Sequence, residues 1–183
     1  SRSYIIKRAA AFIASSTASR EAQIAYGADE KKCFISYLTV DIQKYLYEKP
    51  QKTTQNEGLQ LLYVGSLIQR KGLDLLLPAL AKTPQNIRLW IVGEGQEKDL
   101  LQKQCTELKI SDRVEFLGYQ EGEPLQKLYR TADAFVLPTR EDCFGLVLLE
   151  AMCASLPIIS SKYADGARDL VSDGEKGYII DPE

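Results

Sequence analysis

From residue 58 onward the chain repeats one rhythm: a short aliphatic or β-branched run, a glycine or proline, then a longer stretch whose apolar residues have helical spacing. The runs are LQLLYVG (59–65), IRLWIVG (87–93), RVEFLG (113–118), AFVLP (134–138), LPIIS (156–160) and GYII (177–180). They are largely apolar instead of alternating, as strands are when helices cover both faces of a parallel sheet. Between them lie LDLLLPALAK, QEKDLLQKQCTELK, GEPLQKLYRTA, FGLVLLEAMCA and GARDLVSD. Six strands with five helical crossovers predict a doubly wound, Rossmann-like α/β domain, because right-handed βαβ units are nearly the only way to join parallel neighbours. Ligands bind such sheets at the carboxyl ends of the strands. Gly65, Gly93 and Gly118 follow strands directly and mark that edge, either as plain turn residues or as points where a ligand nears the backbone.

The first 56 residues break the rhythm. AAAFIASS reads as a strand, TASREAQIAYG as a capped helix and CFISYLTV as a second strand, followed by the polar stretch YEKPQKTTQNEG. Three such elements cannot bury a core alone. The expected division is therefore the remnant of a preceding domain over 1–48, a linker over 49–57 and the main domain over 58–183. The end at IIDPE, just after a strand, fits a fragment of a longer protein.

Composition narrows the chemistry. Lysine and arginine number 23 against 25 acids, a formal charge of −2, so no global field attracts nucleic acid and any anion site is local. Histidine is absent, which removes every Ser-His-Asp, Cys-His and histidine-metal arrangement from this chain. The cysteines at 33, 105, 143 and 153 form no CxxC pair, arguing against a zinc site and for a reduced compartment. No stretch approaches 18 apolar residues.

One carboxylate stands out. In TREDCFGLVLLEAM (139–152), Glu150 sits in an apolar run, where an unpaired charge costs several kcal/mol. Side chains on a helix tilt toward its N-terminus, so Glu150 in the second turn leans toward the ligand edge, where a carboxylate accepts bonds from vicinal hydroxyls such as those of a ribose. The competing reading is a buried ion pair with an arginine. The helix start at Phe144 and Gly145 offers free amides to a phosphate. In GSLIQRKG, Lys71 precedes another helix start and can neutralise a diphosphate, with Arg70 adjacent; the plainer reading of this pair is solvated loop charge.

Taken in order, YVGSLIQRKGLDLLLPAL, LWIVGEGQEKDLL, VEFLGY, LYRTADAFVLPTREDCFGLVLLEAM and LPIISSKYADGARDLVSDGEKGYIIDP resemble the C-terminal, donor-binding domain of the retaining glycosyltransferases of the GT-B fold, the group 1 or family 4 type. The resemblance spans 58–183 and, more weakly, the first 48 residues. It implies that the family's two acids seven residues apart fall on Asp142 and Glu150, the first on the donor sugar and the second on the ribose. It further implies amides of Phe144, Gly145 and Leu146 against sugar and phosphate, Lys71 on the diphosphate, and a strand around Val114 and Glu115 bordering the base. Gly65, Ser66 and Gly93 complete the implied donor site. Two departures matter: Ser66 replaces the family's usual arginine, shifting charge onto Lys71 and Arg70, and Asp142 replaces a glutamate, with Glu141 beside it as the alternative.

The resemblance implies a sugar nucleotide (UDP-, GDP- or ADP-sugar) as substrate, no metal or other cofactor, and an acceptor glycan or lipid bound by the missing domain, which would also carry the histidine many relatives place near the donor sugar. It further implies polysaccharide biosynthesis in the cytoplasm, extending to peripheral association with the inner face of the membrane, and a fragment that binds donor but transfers no sugar by itself. A GT-B-type epimerase or phosphorylase is the alternative enzyme. A non-catalytic dinucleotide-binding module is the alternative from another class, disfavoured by the lack of GxGxxG after the first strand.

Overall fold

The computed structural model describes residues 5–6, 8–46, 58–171 and 174–183. In chain order the elements are β1 (Phe12–Ala14), α1 (Thr17–Ala25), β2 (Cys33–Ile35), α2 (Ile42–Tyr45), β3 (Gln60–Val64), α3 (Leu73–Ala81), β4 (Arg88–Val92), α4 (Lys98–Glu107), β5 (Val114–Gly118), α5 (Gly122–Thr131), β6 (Ala134–Leu137), α6 (Leu146–Cys153), β7 (Ile158–Ser161), α7 (Asp165–Leu170) and β8 (Gly177–Ile180). Single 3₁₀ turns cover Glu30–Lys32 and Gln69–Lys71. The anticipated linker, 49–57, lies outside the described residues.

The six apolar runs become β3 to β8 of one parallel sheet, ordered β5-β4-β3-β6-β7-β8. This is the doubly wound order in which the chain reverses direction once, between β3 and β6. At that switch point the loops leaving the two strands diverge and open a crevice. Fully buried Leu62, Tyr63, Leu89, Ile91, Phe135 and Ile158 make the sheet's contribution to a core shared with Leu77, Leu80 and Leu148 of the helices.

Two side chains repair the backbone where the sequence would leave it short of partners. Pro78 sits inside α3 and brings no N–H to the carbonyl of Asp74; Gln104 Nε2 of α4 donates there instead, at 3.0 Å. Arg113, only 3% exposed, donates to the carbonyls of Ile87 (2.9 Å), Leu80 (3.0 Å) and Pro84 (3.1 Å) and to Thr83 Oγ1 (2.7 Å). A cation at the C-terminal end of α3 satisfies carbonyls the helix cannot and matches its dipole.

The N-terminal elements form a separate small sheet, with β1 and β2 parallel and α1 packed on it. The second expected strand, 33–40, is shorter than its sequence suggests: β2 ends at Ile35. The small sheet is tied to α7, where Asp169 Oδ2 accepts from the Thr17 amide at 2.7 Å and Arg168 grips Glu21 at 2.7 and 3.0 Å.

Candidate active site

The crevice at the switch point holds a cavity of about 450 Å³ lined by Val64, Gly65, Ser66, Val92, Gly93, Glu94, Val147 and Glu150, with Tyr119, Gln120, Glu121, Gly122 and Leu125 from β5–α5 and Tyr45 from α2. Gly93 makes this edge close: with φ 134°, its backbone passes Gly65 so tightly that a Cβ would sit 2.0 Å from the Gly65 carbonyl oxygen.

Glu150 answers to two tyrosines instead of the arginine of an ion pair. Tyr129 Oη donates to Oε2 at 2.7 Å and Tyr45 Oη to Oε1 at 3.1 Å. Tyr129 is fully buried, and burial together with the charge of Glu150 pushes its hydroxyl well above the usual phenol range. The same causes push Tyr45 up to about 12, so both hydroxyls remain donors at any working pH. An ionised carboxylate has about four lone-pair sites; the two tyrosines take two of them, and Glu150 lines the cavity.

Beside the cavity, the loops after β3 and β6 are knitted together. Lys71 Nζ meets Asp142 Oδ2 at 2.5 Å, with both side chains 14% exposed. The Arg70 carbonyl accepts from the Arg140 amide (2.8 Å) and Thr139 Oγ1 (3.0 Å), while Arg70 Nη1 donates to the Glu141 carbonyl at 3.0 Å. Arg140 in turn grips Asp74 at 2.7 and 2.8 Å. The structure thus brings Asp142, and not the exposed Glu141, against Lys71, and it commits Arg70 to its neighbouring loop.

Asp142 Oδ1 also accepts from the Phe144 amide at 3.3 Å, which shapes the turn into α6. Gly145 caps that helix at φ 79°, a left-handed conformation that favours glycine. The first-turn amides at Leu146 and Val147 have no intrahelical acceptor, and Val147 lies on the crevice wall.

Two of the expected residues lie away from the crevice. Val114 and Glu115 open β5 at its N-terminal end, where Val114 pairs with Leu89 and Glu115 accepts from Trp90 Nε1 at 3.1 Å. That is the far edge of the sheet. The strand meets the crevice with the residues that follow its C-terminal end, Tyr119 and Gln120, because the ligand edge is set by strand direction.

The model of the family "Glycosyl transferases group 1" matches residues 47–183. The chain belongs to the group 1 glycosyltransferases. An uncharacterised glycosyltransferase of Methanocaldococcus jannaschii is 34% identical over 131 residues, 70% of this chain and 33% of that protein. The lipopolysaccharide core biosynthesis glycosyltransferase LpsE of Rhizobium meliloti is 32% identical over 134 residues, 73% of this chain and 38% of that protein. Among solved structures, Anabaena HepE in complex with UDP superposes with a TM-score of 0.85 at 28% identity, covering 97% of this chain and 51% of that one. The chain therefore spans about a third of the curated relatives' length and half of the solved structure, and its six-stranded sheet is one half of a GT-B glycosyltransferase.

For this group 1 chain, sequence reasoning overlooked Tyr45, Tyr129, Glu94, Tyr119 and Gln120 as neighbours of the crevice. Glu94 and Tyr119 were detectable: each follows a strand-closing glycine, in VGEG and LGYQ. Tyr129 and Tyr45 carried no local signal, since their meeting at Glu150 depends on how α2, α5 and α6 pack.

Proposed function

We propose that this chain is the C-terminal, donor-binding half of a retaining glycosyltransferase that takes sugar from a nucleoside-diphosphate sugar. The observation that carries the reading is Glu150, held by two tyrosine hydroxyls with two acceptor sites left for a ribose diol, on the wall of the switch-point crevice. The HepE complexes with UDP and with UDP-glucose support the same ligand class.

In this reading the base lies toward Tyr119 and Gln120 and the ribose on Glu150. The diphosphate runs past the open amides of α6 to Lys71, and the sugar reaches Asp142. Lys71 must then be shared between Asp142 and the phosphate oxygens, so the diphosphate and the sugar meet at one ion pair. As the bond from the sugar carbon to the diphosphate breaks, charge grows on the departing phosphate oxygen; Lys71 and the helix amides stabilise it. That oxygen takes the acceptor's proton as the acceptor oxygen bonds the same face of the sugar. This chemistry asks for neither a histidine nor a metal. Residues 1–48 belong to the acceptor-binding half, whose remainder binds a glycan or lipid acceptor, at the membrane in the full-length enzyme.

Calorimetric titration with UDP, GDP and ADP tests the assignment. One of them binds, and Glu150→Gln, which keeps shape but loses charge-assisted acceptance, weakens it by about 1.5–3 kcal/mol. In the same titrations Lys71→Ala weakens the diphosphate far more than the nucleoside. Unchanged affinity in Glu150→Gln makes that carboxylate purely structural.

A further inference from the structure

Of residues 41–46, all but Tyr45 are exposed. The segment lies over α5 and α6, and its backbone is touched by Arg130, whose Nη2 donates to the Lys44 carbonyl at 3.4 Å. Its one side chain turned inward is Tyr45, whose ring stands edge-on to Tyr129 at 5.6 Å and whose hydroxyl ends on Glu150. Tyr45 therefore does two things at once: it is the segment's foothold on the large domain, and it is a wall of the candidate nucleoside cavity.

We propose that Tyr45 is a positioning residue of the nucleoside site and the point through which occupancy of that site is coupled to the segment ahead of residue 47. This rests on the nucleoside reading of the crevice. Tyr129 fixes only Oε2 of Glu150; Tyr45 fixes Oε1, so the two hydroxyls together hold the carboxylate plane in one orientation. A ribose diol then adds two donors to the two lone pairs that remain, and the carboxylate is fully satisfied without displacing either tyrosine. Four donors on one anion bind cooperatively, since each fixes the orientation the others need. Linkage is reciprocal: if a docked Tyr45 favours nucleotide, bound nucleotide favours a docked segment. A segment with a single inward side chain opens easily, so its response to ligand is measurable.

The experiment uses the whole chain and the tightest binder among UDP, GDP and ADP, with inorganic pyrophosphate as control. Tyr45→Phe keeps the ring against Tyr129 and removes only the hydroxyl. It is expected to weaken nucleotide binding about tenfold, to leave pyrophosphate binding unchanged, and to have no further effect in a Glu150→Gln background. Backbone amides of 42–46 are expected to exchange more slowly when nucleotide is bound to the wild type, and to lose that response in Tyr45→Phe. The inference is overturned by equal nucleotide affinity of Tyr45→Phe and wild type, by parallel loss of pyrophosphate, or by a full Tyr45→Phe effect in the Glu150→Gln background. Weakening by Glu150→Gln without weakening by Tyr45→Phe sinks the coupling alone. Failure of the wild type to bind any of the three nucleotides removes the nucleoside site and the coupling with it.

Discussion

Two parallel sheets of similarly apolar sequence meet different environments in this molecule. In the large sheet Phe135 is fully buried, with its ring 5.9 Å from that of Tyr129. In the small one Phe34 of β2 and its register partner Ile13 of β1 are 57% and 73% exposed, and only Ala14 and Cys33 are buried among those strands. Apolar residues alone do not decide burial; layers do. The large sheet has helices on both faces, whereas among the described residues only α1 packs on the two-stranded one, and Ile13 and Phe34 stay exposed within this chain. A sheet held by layers can carry a precise crevice at its edge. The small sheet reaches the large domain through α1, which packs on α7 and is tied to it at Asp169 and Glu21.

The largest expected difference comes from the same substitution in the two places. Phe135→Ala opens a cavity in a core that cannot collapse around it and should cost about 3–5 kcal/mol. Phe34→Ala removes a ring that is already mostly in water and should stay within about 0.5 kcal/mol. Urea unfolding of the two variants gives both numbers on one scale. Comparable losses would mean that the small sheet is packed as tightly as the large one, which would break the contrast.

The large sheet was readable from sequence for the same reason that it is stable. Its strands are continuous apolar runs closed by Gly65, Gly93 and Gly118, and its helices follow with helical periodicity, so local and global signals agree. Only the ends moved, as at α6, which begins at Leu146 once Gly145 is used as a cap. In the small sheet, local signal overshot: CFISYLTV reads as one strand, yet pairing with β1 exists only as far as Ile35 because β1 itself ends at its partner, Ala14. The site divides similarly. Glu150 was visible as a charge out of place at a predictable edge, Lys71 as a cation before a helix start on that edge, and Asp142 through the family resemblance. Tyr45 and Tyr129 were not, because hydroxyls 105 and 21 positions from Glu150 meet it only through tertiary packing. Val114 and Glu115 lie away from the crevice because only the C-terminal end of their strand reaches that edge.

A smaller effect tests the tie between α1 and α7. Asp169 accepts from the first-turn amide of α1 and acts as a helix cap supplied from another element. Asp169→Ala should lower stability by about 1 kcal/mol, with the loss concentrated in faster amide exchange across α1 and β1 while the large sheet is unchanged. Uniform acceleration through β3 to β8 would show instead that the two sheets unfold as one unit.

The smallest effect is expected at the Arg140–Asp74 pair within the large domain, because that contact is duplicated. The Arg140 amide and Thr139 Oγ1 both bond to the Arg70 carbonyl, so the loops stay joined when the ion pair is lost. The hydrogen bond from Arg140 holds the Asp74 carboxyl below its ordinary value of 3.8. A depressed folded value means that the pair's contribution is present above the unfolded value and fades as pH falls through the folded one. Asp74→Asn, which lacks the charge at every pH, should therefore trail the wild type by about 0.5 kcal/mol from neutral pH down to about pH 5. The gap should close only below pH 3.8, when the wild-type carboxyl itself protonates. Urea midpoints of both proteins across that range check the sign. A gap that closes well above pH 5 would assign the titration to another group, and a gap as large as that of Asp169→Ala would mean that the loop clamp lacks the redundancy that sets the large sheet apart from the small one.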